Sequence, residues 1–456
     1  MKQKQRAKQK LKKNLRWHAL ILLDQIENHQ QYSNVIVDEF LNESPLEYRD
    51  DRLLVQIVYG VVQNKKTIDY YLHPFIKGKK IEPWVESLLQ LSVYQLIYLD
   101  RIPNHAIVNE AVDIAKNNGH GGLGNFVNAI LRNFMRQDLR DIQGIEDMAE
   151  KFSIQYSIDK WIVDYFLEKL EHEEAEKMIA SLQWLPHLSA RVNTNLIGRD
   201  DLIDHLAEEE GIIVEKSELS DYGIIAKEGN LINSQAFVKG WLTIQDESSM
   251  LVAPLGRLDG HERALDACAA PGGKATHIAQ LLTEGHLDAL DISQRKLERV
   301  NEHLLRLKLD DKVTLYHEDA TKYIPNTGEK YDIIYLDAPC SGLGLMRRKP
   351  EIKYEKTYQD VTELANIQND LLNHMATLVK DNGIIVYSTC TMTLEENEQV
   401  LDRFLKAHPD FEHMPVSNQE NIPESLITSD GNVRVWPHQY KTDGFFIGRL
   451  IKKSRN

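Results

Sequence analysis

Cysteine is scarce in this chain of 456 residues, which contains only Cys268, Cys340 and Cys390. An odd and small number of cysteines argues against a disulfide scaffold. The chain has no Cys-x-x-Cys pair and no histidine cluster at ligand spacing, so no metal site is predicted. All three thiols lie in the C-terminal half of the chain, where any thiol chemistry must therefore be sought.

Long hydrophobic runs and net positive charge are also absent. No apolar run approaches the ~20 residues that span a bilayer, and no signal-peptide core follows the N-terminus, so we predict a cytoplasmic protein without a membrane partner. The net charge of −15 by itself opposes a nucleic-acid partner. The first sixteen residues, however, contain many Lys and Arg and no acid. This segment is either a solvated tail or an RNA-contacting arm.

Patterning divides the chain into three predicted domains, in line with ~150 residues per domain. Residues 1–140 carry apolar residues at helical spacing and predict an all-α bundle of short hairpins, with a glycine-rich turn from Gly119 to Gly124. Residues 141–235 predict a small α+β module. Residues 236–456 alternate strands and helices, which predicts a Rossmann-like α/β domain with a doubly wound, mostly parallel sheet.

Two predicted strands of the last domain each lead to a cysteine. Tyr331–Asp337 contains a short apolar run, as expected of a strand covered on both faces, and Cys340 follows it. Gly383–Ser388 has the same form and is followed by Cys390, after which a helix is predicted over Glu395–Ala407. Open α/β sheets bind ligands at the carboxyl ends of their strands. We therefore expect both thiols at one ligand-binding edge.

A turn rich in small residues lies between the first strand and the first helix of this domain. Small residues let the backbone approach a ligand closely, and a helix N-terminus favours negative charge. The turn matches neither the P-loop pattern G-x-x-x-x-G-K-[ST] nor G-x-G-x-x-G, and a plain tight turn is the alternative. Its candidate ligand-binding residues are Cys268, Ala269, Ala270, Pro271, Gly272, Gly273 and Lys274.

Acidic residues end three strands of the predicted sheet, at Asp291, Asp319 and Asp337. A carboxylate at the position of Asp291 can bond ribose hydroxyls, and Asp319 is placed to meet the exocyclic amine of an adenine. Each acid is otherwise a common helix cap. Together with a turn that lacks a pyrophosphate fingerprint, the three acids indicate S-adenosylmethionine, a nucleoside cofactor without pyrophosphate.

Thiols beside this cofactor suit methylation of carbon 5 of a pyrimidine, which is a poor nucleophile. A cysteine thiolate that adds to carbon 6 raises the electron density at carbon 5. The carbon-5 proton must then leave and the enzyme must be expelled. Asp337 is placed to stabilise the base edge at N3 during the attack. Three buried and inert cysteines are the structural alternative.

The segments Asp337–Gly342 and Ser388–Thr391, with the turn Ala269–Lys274, resemble the RNA cytosine-5 methyltransferase family. The resemblance implies that Cys390 is the nucleophile and that Cys340 assists release of the product. In DNA cytosine-5 methyltransferases, by contrast, the Pro-Cys thiol is the nucleophile. The cofactor contacts implied by the resemblance fall on Cys268–Lys274, Asp291, Asp319 and Asp337.

Val108–Val112 with Phe126–Arg132 is similar to the helical domain of the antitermination factor NusB. A NusB-like domain before such a methyltransferase domain resembles the bacterial 16S rRNA (cytosine-5) methyltransferase B family of the Sun/Fmu type, and Gln245–Ser249 matches it as well. The resemblance implies an RNA-binding first domain and 5-methylcytidine at one position of 16S rRNA, cytosine 967. It is weakest over residues 141–235 and in the basic tail. The same chemistry on tRNA, or a non-catalytic NusB-like RNA-binding factor, are the alternatives.

Three basic residues, Arg347, Arg348 and Lys349, follow the Pro-Cys loop. Basic side chains beside an active site suit phosphate contacts that position a target strand. The target base then has to be unstacked into the pocket. A solvated loop is the competing interpretation.

Overall fold

The computed structural model describes residues 11–29, 32–417 and 420–454. It forms two compact units, of which the first comprises Met1–Gln183 and Met346–Glu355 and the second comprises Trp184–Leu345 and Lys356–Asn456. Most of the basic N-terminal segment lies outside the described residues. Over the described part of the chain, no helix is both long and apolar enough to cross a membrane.

The first unit is helical, as predicted for residues 1–140, and it also includes three helices from the region 141–235 that was predicted as the small α+β module. A π-helix at Ala115–Gly119 continues its sixth helix, and a short helix at Ile352–Glu355 comes from its second segment. Its other helices are α1 (Leu15–His29), α2 (Ser33–Asn42), α3 (Tyr48–Gln63), α4 (Lys65–Ile76), α5 (Pro83–Tyr98), α6 (Asn104–Ile114), α7 (Gly121–Phe134), α8 (Met148–Gln155), α9 (Lys160–Lys169) and α10 (His172–Ser181).

Helical spacing of apolar residues accounts for this core. On α3, Leu54, Ile57, Val58 and Val61 recur at the intervals that place side chains on one helix face, and all four are buried. Helix α5 is buried around its whole circumference from Ser87 to Gln95, as expected of a central helix.

The glycine-rich turn predicted from Gly119 to Gly124 is wrong in its extent. Helix α7 already begins at Gly121, after His120, whose Nδ1 accepts a hydrogen bond from the backbone N–H of Leu123 at 3.3 Å. A Cβ added at Gly124 would lie 2.4 Å from Cγ of Lys116. Glycine at this position therefore serves close packing inside a helix rather than a turn.

The second segment of the first unit packs against its helices through polar contacts. The carboxylate of Glu351 accepts hydrogen bonds from the backbone N–H and the hydroxyl of Ser33, at 2.9 and 2.8 Å. The Tyr354 hydroxyl donates to the carbonyl oxygen of Val62 at 2.9 Å. The chain thus leaves the second unit after Leu345, contributes ten residues to the first unit, and returns at Lys356.

The second unit begins with a small antiparallel sheet. Its strands are β1 (Ser189–Val192), β2 (Ile213–Lys216), β3 (Gly223–Glu228) and β4 (Leu242–Ile244), in the order β2-β3-β1-β4. Helix α11 (Arg199–Glu210) packs on this sheet through Leu202 and Leu206. The predicted α+β architecture is confirmed, and its sheet takes its fourth strand from beyond residue 235.

The larger sheet has the predicted doubly wound architecture. Its strands are β5 (Arg263–Asp266), β6 (His286–Asp291), β7 (Val313–His317), β8 (Tyr331–Asp337), β9 (Val379–Thr389), β10 (Phe411–His413), β11 (Val433–Val435) and β12 (Phe445–Lys452). The order is β10-β12-β9-β8-β5-β6-β7, with β11 paired to β12. Strands β5 to β9 pair in parallel, whereas β12 is antiparallel to β9.

Helices and short 3-10 turns connect the strands of the second unit. The α-helices are α12 (Gln235–Val238), α13 (Glu247–Met250), α14 (Gly273–Leu281), α15 (Gln294–Leu307), α16 (Tyr358–Leu378), α17 (Glu398–Ala407) and α18 (Pro437–Tyr440). The 3-10 turns are Leu231–Asn233, Pro254–Gly256, Asp310–Lys312, Leu343–Leu345 and Glu424–Leu426.

Strand β8 lies between two apolar cores. Ile333 and Tyr335 pack in the core on one face of the sheet, and Ile334 and Leu336 pack in the core on the other. Successive strand residues point to opposite faces, so an uninterrupted apolar run is what a strand covered on both sides requires. The interpretation of Tyr331–Asp337 as a buried strand is confirmed.

A buried ion pair anchors the last strand. The Arg449 guanidinium on β12 is fully buried and donates to Oε1 and Oε2 of Glu420 at 2.6 and 3.0 Å. Arg257 donates to the same carboxylate at 2.9 Å. Burial favours the neutral acid, but the hydrogen bonds from Arg257 and Arg449 prevail and lower the pKa of Glu420 to about 2.

We predict that Glu420→Gln destabilises the fold in a pH-dependent way. Because the pKa of Glu420 is lower in the folded than in the unfolded chain, its contribution is fully present above pH ~4.5 and is lost as the pH falls toward ~2. Urea unfolding should show a loss of about 1–2 kcal/mol at pH 7, since solvent screens this partly exposed carboxylate, and less than half of that at pH 3. Glu424→Gln, at an exposed carboxylate, is the matched control. Equal losses at both pH values would contradict this account.

Candidate active site

Two thiols meet at the carboxyl edge of the parallel sheet. Strands β8 and β9 pair in a register that sets Asp337 opposite Ser388. Cys340 follows the first strand by three residues, and Cys390 follows Ser388 by two. Their Sγ atoms lie 3.3 Å apart, and both residues are half-buried. The structure therefore brings together the two cysteines that the strand pattern singled out.

Backbone contacts hold the two cysteine loops against each other. The backbone N–H of Gly344 donates to the carbonyl oxygen of Cys390 at 2.9 Å, and the N–H of Gly444 donates to the carbonyl of Gly344 at 3.0 Å. A Cβ at Gly344 would lie 1.9 Å from the carbonyl oxygen of Gly444. Glycine is required at position 344 because three backbone segments converge there.

The carboxylate of Asp337 has two partners on neighbouring elements. Its Oδ2 accepts from Nζ of Lys274 at 2.6 Å, and its Oδ1 accepts from the hydroxyl of Ser388 at 2.8 Å. Burial opposes the charge on Lys274, but the carboxylate of Asp337 outweighs it and raises the pKa of the amine, with a smaller contribution from Cys390. Lys274, predicted as part of the ligand-binding turn, thus reaches the thiol pair.

The thiol of Cys340 is held in its protonated form. Its contact with Cys390 and its burial raise its pKa well above the ordinary value, and the negative charges of Glu396 and Asp337 act in the same direction. A thiol with a raised pKa keeps its proton at neutral pH. The two thiols thus form an interacting pair in which Cys340 favours its protonated form.

The turn between β5 and α14 approaches its surroundings closely and is shaped for a ligand. Gly272 has φ +106°, and a Cβ there would lie 3.2 Å from the Cα of Val300. At the end of β5, Oδ2 of Asp266 is buried and has no hydrogen-bond partner. Burial and the nearby Asp337 raise the pKa of Asp266 to about 7. An unsatisfied buried carboxyl oxygen beside a close-packed turn fits a polar ligand.

Cys268 differs from the other two cysteines. It packs against the apolar core on one face of the sheet, and its backbone N–H donates to Oδ1 of Asp266 at 3.3 Å. Burial raises the pKa of its thiol. Cys268 therefore lies in the turn as a poorly ionised side chain.

Asp291 and Asp319 occupy the predicted strand ends and also make local bonds. Oδ1 of Asp291, the last residue of β6, accepts from the backbone N–H of Ser293 at 2.8 Å. Oδ1 of Asp319 accepts from the N–H and hydroxyl of Thr321 at 2.9 and 2.7 Å, and Oδ2 lies 3.4 Å from Nζ of Lys322. Both acids thus stabilise turns, in addition to any role toward a ligand.

Arg191 is a residue of this site that the sequence analysis missed. It lies on β1 of the small sheet, is 1% exposed, and donates to the carbonyl oxygen of Gly273 at 2.7 Å and to Oγ1 of Thr276 at 2.9 Å. It also donates to Oε1 of Gln245. Its burial lowers its pKa to about 9. The small module thereby holds the first turn of α14, and the only hint in the sequence is an arginine inside a predicted strand.

Arg347, Arg348 and Lys349 are not an exposed basic loop. Arg347 is 5% exposed, and Arg348 and Lys349 are half-buried. The Lys349 ammonium lies 4.1 Å from the ring centre of Tyr32. All three belong to the segment of the first unit, Met346–Glu355. Arg347 in particular is too buried to act as a solvated side chain.

Three family models match separate parts of the chain. Residues 255–451 match the model described as 16S rRNA methyltransferase RsmB/F. Residues 13–136 match the NusB family, and residues 158–232 match the RsmF/B-like ferredoxin-like domain.

Full-length relatives show the same likeness. The chain is 40% identical to the probable ribosomal RNA small subunit methyltransferase B of Bacillus subtilis (strain 168), over 97% of this chain and 99% of that protein. It is 30% identical to the ribosomal RNA small subunit methyltransferase B of Serratia proteamaculans (strain 568), over 96% and 99% respectively.

Solved structures share the fold. The crystal structure of PH0851 has a TM-score of 0.81 at 26% identity and covers 95% of this chain and 98% of its own. The structure of NSun6 from Pyrococcus horikoshii with SFG has a TM-score of 0.56 at 25% identity, over 64% of this chain and 98% of its own.

The sulfur contact predicts a selective disulfide. Mild oxidation with diamide should join Cys340 to Cys390, because their Sγ atoms are 3.3 Å apart, and should leave Cys268 reduced. Mass spectrometry of alkylated peptides would detect the bridge, and Cys390→Ser should abolish it. Bridges to Cys268 in comparable amounts would contradict the geometry.

Proposed function

Because the chain belongs to the 16S rRNA methyltransferase RsmB/F family, we propose that it methylates carbon 5 of a cytosine in 16S rRNA through a covalent cysteine–base intermediate. The observation that carries this proposal is the 3.3 Å contact between Cys340 and Cys390. A reaction that needs one thiol to attack and another group to assist release is served by two adjacent thiols. By resemblance to the family, the target is cytosine 967.

In this proposal the Cys390 thiolate attacks carbon 6 of the base. A carbon–sulfur bond forms, and carbon 5 becomes nucleophilic. During release a water molecule accepts the carbon-5 proton, the electrons of that C–H bond re-form the carbon 5–carbon 6 double bond, and the carbon–sulfur bond breaks so that Cys390 leaves as a thiolate. Cys340, which keeps its proton, then protonates the departing sulfur of Cys390 across their contact.

Asp337 is proposed to stabilise the edge of the base at N3. Lys274 and Ser388 hold its two oxygens from two different elements, which fixes the carboxylate relative to the thiols. A pre-oriented charged group stabilises charge that develops during attack better than solvent does.

The methyl donor is proposed to be S-adenosylmethionine, which when bound supplies an electrophilic methyl group. The residues that would hold it are the turn Cys268–Lys274 with Asp291, Asp319 and Asp337. The close-packed Gly272 and the unpartnered oxygen of Asp266 support this assignment. The structure of NSun6 from Pyrococcus horikoshii, to which this chain is similar, was determined with SFG.

The three-domain assignment remains part of the proposal: residues 1–140 as a NusB-like RNA-binding domain, 141–235 as a small α+β module, and 236–456 as the methyltransferase domain. The matched ranges 13–136, 158–232 and 255–451 support it. RNA contacts at Arg347, Arg348 and Lys349 and a cytoplasmic location also stay predictions. The names of the relatives favour rRNA over tRNA as the substrate.

We predict opposite outcomes for the two cysteine variants. With 16S rRNA and S-adenosylmethionine, Cys340→Ala should accumulate a protein–RNA adduct that survives a denaturing gel, because release fails. Cys390→Ala should form no adduct and should transfer no methyl group. An adduct retained by Cys390→Ala and lost in Cys340→Ala would instead make Cys340 the nucleophile, and the assignment would be wrong.

A second prediction concerns the cofactor. Asp291→Ala should weaken the binding of S-adenosylmethionine about tenfold, the effect of losing one hydrogen bond to a charged group, without changing affinity for RNA. Isothermal titration calorimetry measures the first quantity and a filter-binding assay the second. Asp311→Ala, at an exposed acid in the same unit, is the control. Unchanged cofactor affinity in Asp291→Ala would remove this residue from the site.

A further inference from the structure

The carboxylate of Glu396 is buried in the turn between β9 and α17 and is bonded on both oxygens. Glu396 is 0% exposed. Its Oε1 accepts from the backbone N–H of Ser341 at 2.7 Å and from Nε2 of Gln368 at 3.1 Å. Its Oε2 accepts from the hydroxyls of Ser341, Thr393 and Thr391 at 2.6, 2.8 and 3.1 Å. Five donors thus satisfy one buried carboxylate.

These donors flank both thiols. Ser341 directly follows Cys340, and Thr391 directly follows Cys390. The hydroxyl oxygens of Ser341 and Thr391 lie 2.8 Å apart, so the single hydroxyl proton of Thr391 is shared between Ser341 and Glu396. Glu396 therefore joins the residue after one thiol to the residue after the other, from a third position in the chain.

All five donors are neutral, so hydrogen bonds alone stabilise the buried charge of Glu396. An ionised carboxylate in a protein interior is costly unless its hydrogen-bonding capacity is filled. A neutral side chain at position 396 could hold the same turn with a lower desolvation cost. We therefore explain the buried glutamate by the geometry that it imposes on the two cysteine loops rather than by a contribution to the stability of the fold.

We propose that Glu396 is a positioning residue that keeps the Cys340 thiol in contact with Cys390, so that the base is released after methylation. The inference rests on the proposed function, because it assigns to Glu396 the spacing of the two thiols that this mechanism uses. Without Glu396, Cys390 still attacks the base, whereas Cys340 no longer lies where the departing sulfur needs it.

The chemistry of glutamine offers a rescue that separates geometry from charge. In Glu396→Gln the amide oxygen can accept hydrogen bonds from the backbone N–H of Ser341 and from the side-chain N–H of Gln368. These two groups can only donate hydrogen bonds and cannot accept them. The amide nitrogen then faces the hydroxyls, which can rotate to accept. Glu396→Gln therefore keeps most of the network, whereas Glu396→Ala removes it.

The test measures the covalent adduct over time on denaturing gels with 16S rRNA and S-adenosylmethionine. Glu396→Ala, with both cysteines intact, should accumulate at least about tenfold more adduct than the wild type, because release slows relative to attack. Glu396→Gln should stay within about threefold of the wild type.

Ser341→Ala, which removes one hydroxyl of the network, should also accumulate adduct, and it replaces Glu396→Ala as the test if that variant does not fold. Glu363→Ala, at an exposed glutamate of α16, is the matched control.

The outcomes separate this inference from the proposed function. If Cys340→Ala, measured in parallel, forms no adduct, the covalent mechanism itself fails. If Cys340→Ala traps the adduct but Glu396→Ala and Ser341→Ala release RNA as the wild type does, the positioning role is wrong. Adduct trapping by Glu396→Gln equal to that of Glu396→Ala would show that charge matters and geometry does not, which also overturns it.

Discussion

The register between strands β8 and β9 is the constraint on which the rest of the candidate site depends. Asp337 pairs opposite Ser388 in parallel, so the loops that follow both strands leave the sheet at the same edge. A slip of one residue would turn every side chain of a strand to the other face. At this edge the hydroxyl of Ser388 donates to Oδ1 of Asp337 across the two strands, which favours the observed register. The thiol contact thus follows from the pairing of these two strands.

Several charged groups lie at the same edge of the sheet, and the burial of each would be unfavourable without a partner. Lys274 compensates Asp337, and hydrogen bonds from neutral groups stabilise Glu396. Arg191, reaching from the small sheet, donates to the first turn of α14, next to the ligand-binding turn. Buried polar groups are tolerated when they are satisfied in this way, and they then restrict the geometry of their neighbours. The small module is therefore part of the framework of the site.

Much of the fold follows from the sequence because its signals are local. The predicted limits of the strand Tyr331–Asp337 are those found in the structure. A buried strand appears in the sequence as a run of apolar residues, and an amphipathic helix appears as apolar residues at helical spacing. Either pattern can be recognised within a stretch of about fifteen residues. The convergence of the two cysteines also follows from the sequence. Each cysteine comes after the carboxyl end of a strand, and the carboxyl ends of parallel strands lie at the same edge of the sheet.

The rest depends on contacts between distant segments. Glu396 lies in an acidic stretch that was predicted to open a helix at Glu395, whereas the helix begins at Glu398 and the carboxylate points inward. Nothing local in the sequence pairs Arg191 with Gly273, 82 positions later in the chain. The basic residues 347–349 resemble a solvated loop until the segment 346–355 is seen to belong to the first unit. Hydrogen bonds between side chains of distant elements leave no local pattern in the sequence, whereas helices and strands do.

The central claim is that Cys390, with Cys340 beside it, forms the bond to the base. The most direct measurement uses 16S rRNA containing 5-fluorocytidine, whose carbon-5 fluorine cannot leave as a proton does, so that the wild-type protein itself is trapped on its substrate. Mass spectrometry of the digested complex identifies the modified peptide. The account predicts the nucleotide on the peptide that contains Cys390. A nucleotide on the peptide that contains Cys340, or a complex that dissociates on denaturation, would contradict it.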